Sequence, residues 1–208
     1  MKQYFPIFFL LFFIMWSCSS SKQTTADLSP PIFKTGDEIH KDVFKKLDGI
    51  WKGAFIIYED DNPVDAAEVD LSRITLKDIE ALDLKEINRI EVRQKYTSVN
   101  PYFQKVEIED KDLNSGAMIV SKGINKVENG KLVCVVQKPD EVIVHEGMVP
   151  EEGTIIWFSE QKKPLKKEYF VEKVDDEYYE IVGYGYYEGH DLDKTPQLYF
   201  YALYKKEK

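Results

Sequence analysis

Two cysteines and three histidines are all that these 208 residues offer of the side chains that cross-link a chain or hold a soft metal. A disulfide between Cys18 and Cys134 is the only pairing available, and it fails if either thiol is otherwise engaged. His40, His145 and His190 have no second His or Cys at zinc-site spacing, so no metal site is expected. Neither a Gly-x-Ser-x-Gly elbow nor a glycine-rich phosphate loop occurs, which removes two short signatures of catalysis. No enzyme activity and no cofactor are expected. An excess of positive charge is missing as well: 28 Lys and Arg stand against 37 Asp and Glu, a net charge of −9. That balance argues against nucleic acid as a partner, because phosphate contacts are made by clustered cations. Internal repeats are absent, and no apolar run reaches the ~20 residues of a membrane-crossing helix.

What is present begins at the N-terminus. Lys2 precedes an apolar run, Tyr4–Trp16, that stops at Ser17-Cys18-Ser19-Ser20-Ser21. A cationic start, roughly 13 apolar residues and a small polar stretch make a secretion signal, too short to cross ~30 Å of hydrocarbon. The segment ending at Cys18 resembles the lipobox of bacterial lipoproteins, with Ser17 in the position before the cysteine. The resemblance implies removal of residues 1–17 and acylation of Cys18 with palmitate-class chains. At roughly 0.8 kcal/mol per buried CH2, several chains hold a protein on a membrane essentially permanently. Ser19, where a retention signal would place Asp, implies the outer membrane of a bacterial cell envelope, facing the periplasm.

Loss of the signal removes a single charge, Lys2, and leaves 191 residues with 27 basic and 37 acidic side chains, a net charge of −10. That length suits one domain with a real core. Residues 18–31 read as the lipidated cysteine and a flexible tether of Ser, Thr, Lys, Gln and Pro, and residues 32–208 as a single domain.

Within that domain Val43, Phe44 and Leu47 fall at helical spacing and predict a short helical segment that plugs one end of the domain. Beyond Gly49 apolar and charged residues alternate with period two, as in Ile90–Tyr96 and Val106–Glu109. Further strand-like runs lie at 117–124, 131–137, 141–146, 154–159, 167–174, 178–187 and 197–205. Asn129-Gly130 predicts a tight hairpin, since both residues tolerate positive φ. Leu71–Asn88 fits neither period, and Thr75 could cap a helix over Leu76–Leu82 as well as a strand could run there. About nine or ten strands joined by hairpins predict an all-β fold, an antiparallel up-and-down barrel that pairs its edges, with a β-sandwich as the alternative.

Gly49-Ile50-Trp51, opening the first long strand, resembles the Gly-x-Trp signature of lipocalin-like barrels, the calycin group. The resemblance implies that Trp51 closes the barrel floor beneath a cation from the last strand, which ends in Lys205-Lys206; Lys205 is the first candidate. Haem-binding members of that group carry a histidine in the closing strand, and Leu198–Tyr204 has none. The tyrosine-rich tail supplies a tentative ligand-binding set, Tyr184, Tyr186, Tyr199 and Tyr201, beside Gly183 and Gly185, which leave space. Cys134 reads as a small buried thiol, and Glu188–Asp193 as a solvated turn. The function expected is a lipid-anchored barrel binding a small hydrophobic or amphipathic molecule. The alternative is an envelope lipoprotein with a filled core that docks a protein partner.

Overall fold

The computed structural model describes residues 27–69, 71 and 74–208. The expected signal peptide, Cys18 and the expected tether as far as residue 26 lie outside the described residues. Among the described residues ten strands follow one another: β1 (Gly49–Glu59), β2 (Lys85–Asn100), β3 (Phe103–Asp112), β4 (Met118–Glu128), β5 (Lys131–Gln137), β6 (Val142–Glu151), β7 (Thr154–Lys162), β8 (Leu165–Val174), β9 (Tyr178–Tyr187) and β10 (Leu198–Lys206). Each pairs antiparallel with its sequence neighbours, and β10 returns to β1, so the sheet closes into a barrel rather than a sandwich. Closure leaves no free edge. With ten strands it is wider than the eight of a lipocalin.

Local chemistry explains the turns. Asn129 and Gly130 take φ of 55° and 74°, the left-handed pair that joins β4 to β5 without splaying them. Asp175 Oδ1 accepts from the N–H groups of Glu177 and Tyr178 and turns β8 into β9. The outer wall carries cross-strand ion pairs such as Lys52–Glu207, Lys95–Glu107 and Lys131–Glu146, which a membrane-spanning barrel with its outward apolar band would not tolerate.

One end is sealed by the predicted plug. A turn of 3-10 helix at Lys45–Leu47 drives Phe44 and Leu47, 2% and 1% exposed, under the fully buried Trp51. The indole Nε1 donates to the Leu47 carbonyl at 2.6 Å, and the ring meets Tyr179 edge-on at 5.8 Å. Gln104 Nε2 holds the plug from the opposite strand by donating to the Phe44 carbonyl at 2.8 Å. The cation over the indole is Lys206, 4.9 Å from the ring centroid, and not Lys205. Alternation is the reason: Tyr204 and Lys206 share the inward face, so Lys205 turns outward to Tyr178, 6.0 Å from its ring. Gly49, at φ +127°, is required here because a Cβ would sit 2.7 Å from Lys206 Cε.

Two further segments brace the wall. Asp37 is fully buried, accepting from Gly130 N at 2.6 Å and Lys34 N at 2.8 Å, so the chain before the barrel is latched to the β4–β5 turn at the plugged end. Between β1 and β2 the described residues include helix α1 (Leu76–Glu80). It is a helix because the Asp78 carboxylate accepts from both N and Oγ1 of Thr75, each at 2.7 Å, which fixes its first turn. Ile74 and Ile79 are buried with Val171, Val182 and Tyr199.

Candidate functional site

Above the Trp51 floor inward residues from all ten strands border a cavity of about 160 Å³. Its walls are mostly rings and aliphatic side chains: Phe55, Tyr96, Trp157, Phe170, Tyr179 and Tyr204, with Val106, Ile108, Val136 and Ile181. Polar groups are few: Gln94, Asn125, Cys134, His145 and Glu172. A wider depression of about 630 Å³ spans Lys52, Arg93 and Glu109 on the outer wall. It lies among charged side chains and is bridged by the Arg93–Glu109 contact at 3.4 Å, so the aromatic-lined interior cavity is the better ligand site.

The glycines of the sheet shape this interior by admitting rings. A Cβ on Gly53 would lie 2.8 Å from the Tyr204 ring, on Gly147 2.6 Å from Trp157, and on Gly183 2.6 Å from Phe170. Each of these aromatics is the cross-strand partner of its glycine. The space that glycines leave is therefore taken by neighbouring rings that lie flat along the wall. Phe170 stacks in turn on Phe200 at 5.5 Å, and Phe200 on Phe55 at 5.7 Å, forming a tier at the end of the cavity away from Trp51.

Glu172 is the acid of this site. Trp157 Nε1 donates to its Oε2 at 2.8 Å, and the Tyr179 hydroxyl is its second hydrogen-bond partner. Burial pushes its carboxyl up to about 7 against those two donors. Burial likewise drives Tyr96, Tyr179 and Tyr204 well above the ordinary phenol value, and the Tyr96 hydroxyl donates to Gln94 Oε1 at 2.7 Å. Cys134 is pushed far up by burial and then by Glu172, which makes it a weak nucleophile although His145 is its cross-strand partner.

A second polar cluster lies beyond the phenylalanine tier. Glu168 accepts from the Tyr187 hydroxyl at 2.7 Å, with His145 Nε2 at 3.4 Å, Ser159 Oγ at 3.4 Å and Lys166 Nζ at 3.8 Å. Burial alone would raise this carboxyl, but His145, Tyr187 and Lys166 together hold it below the usual range.

The four tyrosines singled out in the sequence do not line the interior. Tyr184 and Tyr199 are register partners on the outer face, and Tyr201 joins them in the cluster with Ile74 and Ile79. Tyr186 lies beside Tyr184 on that same face, its ring centroid 6.2 Å away and its hydroxyl donating to the Lys194 carbonyl. Period two placed them together correctly; the face was inverted. Inward on β9 and β10 are instead Tyr179, Ile181, Ala202 and Tyr204. Glu172 was missed because β8 alternates charged residues on the inside with a mixture outside, Lys166, Glu168 and Glu172 against Lys167 and Lys173, so no apolar face marks its phase. The Glu188–Asp193 residues diverge: Glu188 accepts from Leu165 N, Asp191 from Asp193 N, and His190 packs on Tyr187.

No family model matches the chain, and no curated protein matches its sequence. Its structure resembles an S-type phycobiliprotein lyase, CPES, from Guillardia theta, at 9% identity and a TM-score of 0.50, covering 86% of this chain and 99% of that one. A redesigned β-barrel, mFAP1, bound to DFHBI matches at 9% identity and a TM-score of 0.37, over 79% and 99% of the two chains. A de novo designed fluorescence-activating β-barrel matches at 8% identity and 0.38, over 80% and 98%. At 9% identity the resemblance to the lyase shows the fold alone, a closed antiparallel barrel.

Proposed function

We propose that this chain is a non-enzymatic, lipid-anchored protein of the bacterial cell envelope, held on the outer membrane facing the periplasm, whose barrel interior binds one small amphipathic molecule. The observation that carries the binding half is the interior cavity of about 160 Å³, apolar over most of its wall with a few convergent polar groups. The anchor rests on Lys2, the apolar run Tyr4–Trp16 and Cys18. Closure of one end by Trp51 and the plug leaves the phenylalanine tier as the barrier to entry from the other.

A second reading is favoured by one feature: the cavity is smaller than the ~300–1,000 Å³ of drug-sized ligand pockets. On that reading the barrel is an interaction module that docks an envelope protein on its outer wall. Native mass spectrometry of the full-length protein, purified gently from its host, separates the two. Binding predicts a co-purifying small molecule or uptake of a small apolar fluorescent probe; repeated recovery of an empty protein that takes up no probe contradicts it. For the anchor, feeding cells an alkyne analogue of palmitate labels the wild type and not a Cys18→Ala variant, and equal labelling of both contradicts acylation at that residue.

A further inference from the structure

We propose that the cavity beside Glu172 takes a compact organic cation, an ammonium or quaternary ammonium group carrying at most about one ring, with the Glu172 carboxylate as its counter-ion. The inference rests on the reading that the interior holds a small molecule and names the chemistry of that molecule. Three observations lead to it.

The first is the sign of the available charge. The described residues bordering the cavity include one acid, Glu172, and no lysine or arginine. A fatty acid or other anion would bring its carboxylate to a wall that offers no fixed positive charge, and would face Glu172 as a like charge. The second is the wall itself. Tyr96, Trp157, Tyr179 and Tyr204 surround the acid, and aromatic faces carry the negative lobe of the ring quadrupole, which attracts a cation and not an anion. The third is size: about 160 Å³ is close to the ~150 Å³ of engineered apolar cavities that accept a single benzene. One ring with an ammonium group, or a small tetraalkylammonium ion, fills such a volume; a fatty acyl chain does not.

Glu172 is poised for this role. It has two hydrogen-bond donors, Trp157 and Tyr179, and no cation paired with it among the described residues, so its ionised form bears a desolvation cost that a bound cation would relieve. The titratable groups facing it are Tyr96 from β2, Cys134 from β5, His145 from β6, Tyr179 from β9 and Tyr204 from β10. The three phenols and the thiol are all pushed up by burial and stay neutral. His145 places its Nε2 3.4 Å from Glu168, in the cluster beyond the phenylalanine tier. Cation binding is thereby coupled to loss of the Glu172 proton.

The test uses three probes on the full-length protein by calorimetric titration: benzylamine, its neutral isostere benzyl alcohol, and tetramethylammonium, whose charge does not change with pH. The expected result is benzylamine binding at least about tenfold more tightly than benzyl alcohol, the scale of one charge-assisted contact. Tetramethylammonium affinity should rise between about pH 6 and about pH 8, by at most about tenfold per unit. Glu172→Gln should abolish both the preference and the pH dependence. Equal binding of benzylamine and benzyl alcohol, a flat tetramethylammonium profile, or a pH dependence that survives in Glu172→Gln overturns the cation while leaving a small-molecule site in place. Failure of all three probes and of an apolar dye overturns both.

Discussion

Strands β9 and β10 present tyrosine on both faces, and the two sets do different things. Inward, Tyr179 packs edge-on against Trp51, Tyr96 and Tyr204 with centroid spacings of 5.5–6.1 Å, and both Tyr179 and Tyr204 border the cavity. Outward, Tyr184, Tyr199 and Tyr201 form the bed on which Ile74 and Ile79 rest. The same residue type, on opposite faces of the same two strands, is part of a binding wall or of an external brace. Tyrosine abundance therefore locates a sheet but not its interior; only the phase of the alternation does that, and the phase is set by which neighbours the sheet closes around.

The largest expected contrast is in stability. Tyr179→Ala removes a fully buried ring from the floor and should cost about 3–5 kcal/mol, whereas Tyr201→Ala, at a half-buried outer position, should cost about 1–2 kcal/mol. Urea unfolding measures both, and equal losses would erase the distinction between the faces.

The next effect is a pH profile. Glu172 titrates near 7 in the folded protein, above its ordinary value of 4.5, so the native state binds the extra proton between them. Its favourable contribution is complete below about pH 4.5 and is lost as pH rises through about 7, a swing on the order of 3 kcal/mol. Glu172→Gln should flatten unfolding free energy across that window, while Tyr199→Phe on the outer face should leave the slope alone. A wild-type stability that climbs from pH 5 to 7, with no change of slope in the variant, would contradict the buried acid.

The smallest effect concerns the floor cation. Lys206→Met should cost about 0.5–1 kcal/mol through loss of the contact with Trp51, and Lys205→Met close to nothing. A larger loss from Lys205→Met would reverse the assignment of faces at the end of β10.

Much of the fold was legible because its signals are local. Period two marked the strands, Asn129-Gly130 marked a turn, and Gly49-Ile50-Trp51 marked the floor with the Phe44 and Leu47 plug beneath it. The interior was not legible to the same degree. A one-residue change of phase moves every side chain to the other face, so the four outer tyrosines and the inner Tyr179 and Tyr204 could not be told apart by spacing. Lys205 and Lys206 exchanged roles for the same reason. Glu172 was hidden because a buried acid looks like any other glutamate in a chain with 37 acidic residues, and its setting comes from Trp157, Tyr96 and Tyr179 on three other strands. The segment around Thr75 stayed ambiguous because α1 is only five residues long.

The central claim, that the interior and not the outer tyrosine bed is the binding site, is tested most directly by filling the cavity. Uptake of a small apolar fluorescent probe would be titrated for wild type, for Val136→Trp, which places an indole in the cavity, and for Tyr184→Ala on the outer wall. The account predicts that Val136→Trp abolishes uptake in a protein that still unfolds cooperatively, and that Tyr184→Ala binds as the wild type does. Undiminished uptake by Val136→Trp, with loss in Tyr184→Ala, would contradict it.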